Sequence, residues 1–311
     1  MKRILMILTS HRLDCFRLAM DLLKRSGSLP QFDRVVLLLN GVVGRHLAYV
    51  NRLMAESPDV RWGTIAGPRG KGPLVANLQN ECVRRYPDSL YFKIDEDVFV
   101  SRGWADKLAA AYESFRRDPG LALLTPVIPN NAAGFFHLLN RFPDLRAEYS
   151  EKFPGQPVTS ACDGPVWINA HIGEWIARKF IDMERTNLEF GNHTAFEKFA
   201  YRFNINCIVY DYRHWQELGG IPDKEEPAWG QWVPDHGKFD VLVTNTLVHH
   251  YSFFVQQDWM DRTSLLEDLR AVNLPGTLSR GSPAYGLPRL SRILRQLPRV
   301  AQRRMARVWG T

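Results

Sequence analysis

The feature that most constrains this chain is a repeated exchange of short apolar runs and amphipathic stretches through its first half. Ile4 to Leu8 is continuously apolar, and Leu13 to Arg25 follows with Phe16, Met20 and Leu23 on one helical face. Arg34 to Leu39 is a second β-type run, stopped by Asn40-Gly41, and Leu47 to Ala55 a second helix. Val60 to Ile65 predicts a shorter strand, Leu74 to Arg85 a helix, and Tyr91 to Ile94 a strand that runs directly into Asp95-Glu96-Asp97. Trp104 to Arg116 and Leu121 to Thr125 add one more helix and strand. Strands that alternate with helices in this way give an α/β domain with a mainly parallel sheet flanked by helices.

The chain has 311 residues, which predicts one large domain, or one domain with an appendage. The opening Met1-Lys2-Arg3 precedes only five apolar residues, so it reads as the start of a buried strand rather than a secretory signal. No stretch approaches the ~18 consecutive apolar residues of a spanning helix, which excludes an integral membrane protein. Cys15, Cys82, Cys162 and Cys207 show neither CxxC nor zinc spacing and are expected to be structural, in a reduced, cytoplasmic setting. The net charge of +7 is concentrated at the end: nine arginines and no acid lie from Arg270 onward. The rest of the chain is slightly acidic, so nucleic acid is not an expected partner.

After Thr125 the pattern changes. Residues 127–165 are rich in Pro, Asn, Gly and aromatics and read as a long ordered functional segment. Helices are expected at Ile172 to Phe180 and Thr194 to Phe203, a strand at Cys207 to Tyr210, a polar loop around Trp229 and Trp232, and strands at Val241 to Thr244 and Leu247 to Phe254. Phe135, Phe136, His137, Trp229 and Trp232 lie in the two irregular segments, where aromatic rings offer apolar faces to a ligand and neighbouring polar groups fix it.

An Asp-x-Asp pair alone carries little weight, but here three carboxylates stand between apolar Tyr91, Phe92 and Ile94 on one side and Val98, Phe99 and Val100 on the other. Adjacent acids repel one another and lose solvation unless a cation neutralises them. Alternation of an extended chain puts Asp95 and Asp97 on one side and Glu96 on the other. Their oxygens suit Mg²⁺ or Mn²⁺, and ligand sites of open α/β sheets lie off the carboxyl ends of strands. Upstream, Arg69 and Lys71 lie in a glycine-rich loop that opens a helix, a combination favouring a diphosphate. Downstream, His249-His250 lies in a β-type run, and alternation sends the two imidazoles to opposite faces.

In the order of these elements the chain resembles the GT-A fold glycosyltransferases, especially the family 2-like bacterial enzymes, over about residues 3–255. The resemblance implies a Rossmann-like mixed, mainly parallel sheet, with the basic helical segment as a C-terminal extension. It implies that Thr9, Ser10, His11, Arg12 and Asn40 hold the nucleotide, followed by the loop Gly70, Lys71, Gly72 with Ala76 and Asn77. It further implies that Asp95 and Asp97 hold the divalent cation and ribose, and that His250, rather than His249, completes the metal shell. Of the triplet, Asp97 is expected on the metal, Asp95 nearer the ribose and Glu96 turned away.

The resembling enzymes take a general base from an acidic residue, often in a Glu-Asp pair, near a helix start in the second half. The segment in that order here, Glu189 to Glu197, has no such pair. The base is therefore left among Asp163, His193 and Glu197, and retention as well as inversion stays open.

Between Leu287 and Trp309, Leu290, Ile293, Leu294, Leu297 and Val300 recur at helical spacing with arginines between them. Such a basic amphipathic tail suits an anionic membrane surface. The expected organisation is a catalytic domain at 1–256, with a nucleotide-sugar half at about 1–126 and an acceptor half at 127–256, and a C-terminal extension at 257–311. The expected activity is transfer of a sugar from a nucleotide diphosphate to a lipid-linked or polysaccharide acceptor, as in lipopolysaccharide or capsule assembly, on the inner face of the cell membrane. The alternatives are a sugar-phosphate nucleotidyltransferase, which would carry a glycine-rich loop after strand one where this chain has Thr9-Ser10-His11-Arg12, and a non-catalytic carbohydrate- or membrane-binding protein.

Overall fold

The structure, a computed structural model, describes residues 1–275 except 162, 163, 192, 194, 201 and 202. The tail from residue 276 and Asp163 lie outside the described residues.

The expected alternation is present. β1 (Lys2–Thr9) leads to α1 (Leu13–Ser26), β2 (Arg34–Asn40) to α2 (Gly44–Ala55), and β3 (Trp62–Gly67) to α3 (Pro73–Arg85). β4 (Ser89–Asp95) turns into the two-residue β5 (Val98–Phe99), and α4 (Trp104–Phe115) leads to β6 (Leu121–Val127). Residues 127–165, expected to be irregular, instead form α5 (Ala132–Arg141) and α6 (Pro143–Lys152) before the one-turn α7 (Pro165–Ile168). Asn131 caps α5 by accepting the Gly134 N–H, and Pro143 sits at the start of α6. The Asn and Pro that read as loop are therefore helix-start residues.

α8 (Ala170–Lys179) and α9 (Met183–Phe190) follow. The helix expected at Thr194 to Phe203 is instead β7 (Phe196–Phe199), an edge strand whose Phe196 packs on Phe115. β8 (Cys207–Asp211), α10 (Tyr212–Leu218) and α11 (Glu225–Asp235) come next, so Trp229 and Trp232 lie on a helix and not in a loop. The chain continues through β9 (Phe239–Leu247), β10 (His249–His250), the one-turn α12 (Gln257–Met260) and α13 (Leu265–Asn273).

Among the described residues the main sheet has eight strands in the order β3-β2-β1-β4-β8-β6-β9-β7. β3, β2, β1 and β4 are parallel, β8 runs antiparallel to both β4 and β6, and β9 is parallel to β6. Apolar side chains of β1 alternate between two cores, Ile4 and Met6 on one face and Leu5 and Ile7 on the other. Two-sided burial explains the unbroken apolar runs seen in the sequence. Residues after 256 pack onto the body: Arg12 bonds Asp261, Arg178 bonds Asp268, and Arg270 bonds Asp21. No helix of the described residues is long and apolar enough to cross a membrane.

Candidate functional site

β4 lies in the middle of the sheet and ends at Asp95, so the acidic triplet stands off its carboxyl end. The turn that follows returns as β5, which pairs antiparallel with β10, His250 opposite Val98 and His249 opposite Phe99. That two-residue ladder, with Tyr251 N–H donating to the Asp97 carbonyl at 2.9 Å, brings the late histidine to the triplet. His250 Nε2 stands 3.5 Å from Asp97 Oδ2. Both are buried. Burial, and then Asp95 and Glu96, push the Asp97 carboxyl up to about 8. Burial pulls His250 down to about 4, so it is a neutral imidazole. His249 faces the other way, its Nε2 2.6 Å from the Phe180 carbonyl.

The other two acids are committed to protein donors. Asp95 receives Lys93 Nζ at 2.6 Å and Asn206 Nδ2 at 3.0 Å. Glu96 faces the loop after β1, accepting from the Thr9 hydroxyl (2.8 Å) and from the backbone N–H groups of Ser10, His11 and Arg12 (2.9, 3.1 and 3.1 Å). One carboxylate thus fixes the whole segment expected to hold the nucleotide. It uses three backbone donors there and leaves the partly exposed His11 ring at its rim. Arg12 is buried between Asp261 and Cys15 and stacks on the Tyr251 ring at 5.1 Å.

Asn40, at the end of β2, clamps the basic loop. Its Nδ2 donates to the Gly70 carbonyl at 2.9 Å and its Oδ1 accepts from Gly70 N–H at 2.8 Å. Gly41 follows at φ +68°, and a Cβ there would fall 2.2 Å from Arg69 Cβ, so the close approach of the two loops requires glycine. Arg69, Lys71 and Asn77 are exposed around the start of α3.

A cation fits the Asp97–His250 pair by its donor chemistry. One buried carboxylate crowded by two others and one neutral imidazole give an O,N pair. Among the described residues no group of three or more His, Cys, Asp or Glu converges to hold a metal by itself. Mg²⁺ and Mn²⁺ sites routinely draw their remaining ligands from water and substrate phosphates.

The structure adds a residue that the sequence did not single out. Glu225 opens α11, close enough to Asp95 and Lys93 to feel both charges, and Gln79 Nε2 donates to its Oε1 at 2.6 Å. Burial pushes its carboxyl up to about 7 against the pull of Lys93. Its φ of +33° is rare for a side chain with a Cβ. Beside it Glu226 accepts from Ile205 N–H at 3.1 Å. Glu225 and Glu226 are adjacent acids in the first turn of α11, outside the Glu189 to Glu197 segment.

Of the other base candidates among the described residues, Glu197 is not brought to the triplet. Glu197 lies on β7, four strands from β4, roughly 19 Å at ordinary strand spacing, and bonds His137 at 2.8 Å. His193 is exposed, its carbonyl held by Asn245. The aromatics expected to face a ligand are corrected as well. Phe135 and Trp229 are fully buried, packed on Tyr149 and Phe203, while Trp232 stacks on His236. His137 is buried and bound to Glu197, with the half-buried Phe136 beside it on α5. Core positions on α5 and α11 took these rings because each helix needs an apolar face against the sheet.

No protein-family model matches the chain, and no curated protein matches it in sequence. Among solved structures, the mannosyltransferase PcManGT from Pyrobaculum calidifontis, in complex with GDP-Man and Mn²⁺, is similar over 100% of this chain and 88% of its own, with a TM-score of 0.52 and 11% identity. GalNAc-T7, solved with UDP, GalNAc and Mn²⁺, is similar over 87% of this chain and 47% of its own, with a TM-score of 0.49 and 11% identity. At such identity the likeness is one of fold. The chain has a GT-A type glycosyltransferase fold.

Proposed function

We propose that this chain is a metal-dependent glycosyltransferase that moves a sugar from a nucleotide-diphosphate donor to a lipid-linked or polysaccharide acceptor. The observation that carries the proposal is the β5–β10 ladder, which sets His250 Nε2 3.5 Å from Asp97 Oδ2 at the carboxyl end of the central strand. The fold shared with a mannosyltransferase solved with GDP-Man and Mn²⁺ supports it.

Asp97 and His250 would hold Mn²⁺ or Mg²⁺. The bound cation supplies charge stabilisation to a departing nucleoside diphosphate. Arg69 and Lys71 bring positive charge to the phosphates from the loop that Asn40 fixes. Asp95, oriented by Lys93 and Asn206, would meet the donor's ribose with its remaining acceptor capacity. Glu225 is the base: a carboxyl near neutrality at a helix start takes the proton of the acceptor hydroxyl as that oxygen attacks the anomeric carbon. A base beside the site suits a single displacement with inversion. The arginine-rich tail would hold the protein on the inner face of the cell membrane, where a lipid-linked acceptor for cell-surface glycan assembly lies.

Calorimetry with nucleoside diphosphates and nucleotide sugars, with and without Mn²⁺, tests the proposal. Binding of at least one nucleotide is expected only with the metal, and is lost in Asp97→Ala. Metal-independent binding, or none, would overturn it.

A further inference from the structure

Two segments run side by side away from His250, and both carry aromatic rings. Phe253 packs on the His250 ring at 4.7 Å and on Trp167 at 6.4 Å. Trp167, half-buried on α7, stands edge-on to the exposed Phe254 at 5.8 Å. Gln256 is fully buried and ties the two segments together, donating to the Val166 and Trp167 carbonyls at 2.6 and 3.0 Å. Further along both segments, the exposed His171 and the half-buried Trp259 meet with ring centroids 4.1 Å apart. Trp259 Nε1 donates to Glu174 Oε2 at 2.8 Å, and there a surface groove of about 590 Å³ opens between α6 and α8.

Paired charges decide what such a groove can hold. Glu148 accepts from Lys179 Nζ at 2.6 Å and from Trp175 Nε1 at 2.9 Å, and Glu174 accepts from Arg178 Nε at 2.8 Å besides Trp259. Arg178 also reaches Asp268 at 2.8 Å. Around the groove Glu148, Glu174 and Asp268 thus balance Lys152, Arg178 and Lys179, and no field of one sign is left to draw in nucleic acid, an anionic bilayer or an arginine-rich segment. What remains is a mixed lining of carboxylate lone pairs and N–H donors beside ring surfaces. A neutral polyhydroxyl ligand answers all of it, since each hydroxyl both donates and accepts and the C–H face of a sugar ring packs on an aromatic one.

We propose that this track and its groove form a subsite for a neutral oligosaccharide acceptor, whose end enters the site at His250 and whose following sugars lie along Trp167, His171 and Trp259 and into the groove. Gln256 sets the direction. A Cβ at Gly173 would fall 2.9 Å from its Nε2, so the start of α8 is held close beside the segment that follows β10, and the groove begins at the site and runs away from it. α8 sets the length. His171, Glu174 and Arg178 share one face of the helix over about 11 Å, more than one sugar ring covers. The inference rests on the transferase proposal and narrows it: the protein holds its acceptor by the glycan chain.

The test is calorimetry of the full chain with mannopentaose, cellopentaose and chitopentaose, each beside its monosaccharide. At least one pentasaccharide should bind, about tenfold or more tightly than its monosaccharide, with or without Mn²⁺ and with little change between low and high salt. His171→Ala/Trp259→Ala should weaken that binding by about tenfold or more. His171→Ala alone, at an exposed position, should weaken it in the same direction, and Trp259→Phe, which keeps a ring face, should weaken it less than the double variant. Leu188→Ser, at an exposed apolar residue on α9, should leave it unchanged. Thermal melts of each variant confirm folding. No pentasaccharide bound, equal affinity for the monosaccharide, or binding unchanged in both His171 variants would overturn the proposal. So would a dimer in sedimentation that these variants dissolve, which would give the groove to a second copy. Calorimetry of the unaltered protein with GDP or UDP and Mn²⁺ separates the two proposals. Glycan binding without nucleotide binding sinks the transferase proposal and leaves the subsite standing, and the opposite result does the reverse.

Discussion

His250 Nε2 and Asp97 Oδ2 meet at 3.5 Å because β5 and β10, two residues each, pair off the carboxyl end of the central strand β4. Neither residue is a metal site alone, and a carboxyl pushed up to about 8 is a poor ligand until a cation displaces its proton. Removing either partner should therefore cost most of the metal-dependent affinity. We expect His250→Ala to weaken Mn²⁺-dependent nucleotide binding about tenfold and Asp97→Asn about a hundredfold, measured by calorimetry at fixed Mn²⁺. A double variant no weaker than Asp97→Asn alone would show that the two act on one ion. Additive losses would show that they do not.

Glu96 is the acid whose role is architectural. It accepts from four donors at the start of α1, so its loss leaves buried N–H groups unsatisfied. Glu96→Ala should destabilise the protein by about 3 kcal/mol, and Glu96→Gln by about 1–2 kcal/mol, since the amide keeps one acceptor oxygen. Urea denaturation midpoints check both. A midpoint unchanged in Glu96→Ala would mean that the loop stands without it.

These two acids show what was legible in the sequence. Alternation put Asp95 and Asp97 on one side and Glu96 on the other, and the structure turns Glu96 to the β1 loop. Two-sided strands such as β1 and β2 were legible because burial on both faces leaves an unbroken apolar run. β7 was not, because Phe196, Glu197, Lys198 and Phe199 form an edge strand paired on one side to β9, and four residues are too few to show a period. Glu225 escaped for another reason. Its importance comes from burial beside Gln79 and from Asp95 on a distant strand, and nothing in Asp223-Lys224-Glu225-Glu226 distinguishes it from a solvated helix start.

His214 predicts how the protein responds to acid. Trp229 Nε1 donates to its Nε2 at 2.9 Å, and burial holds the imidazole down at about 3, against about 6.5 when unfolded. The sign follows from where the proton binds. Below about pH 6.5 the unfolded chain takes up a proton that the native state refuses, so stability falls as pH falls, at up to about 1.4 kcal/mol per unit down to about pH 3. His249 and His250, both held near 4 by burial, act in the same direction. His214→Gln keeps an acceptor for Trp229 without a titrating group, so its stability should decline less steeply between pH 6.5 and 4. Parallel declines in denaturation series at several pH values would remove His214 from the account.

Glu225 separates a catalytic from a structural role. As a base it must be ionised, and with its carboxyl at about 7 transfer should rise about tenfold per pH unit below 7 and level off above it. Glu225→Gln should lower kcat by about 10²–10⁴ and remove that limb, while donor binding with Mn²⁺ stays within about twofold because Gln79 can still donate to the amide oxygen. Stability should move the other way. A carboxyl raised in the folded state is a burden once ionised, so stability it gains at low pH is lost as pH rises through about 7. The neutral amide escapes this, and Glu225→Gln should melt at or above the unaltered protein at pH 8. A variant less active and less stable at that pH would mark Glu225 as a structural group, and the base would have to be sought at Glu226.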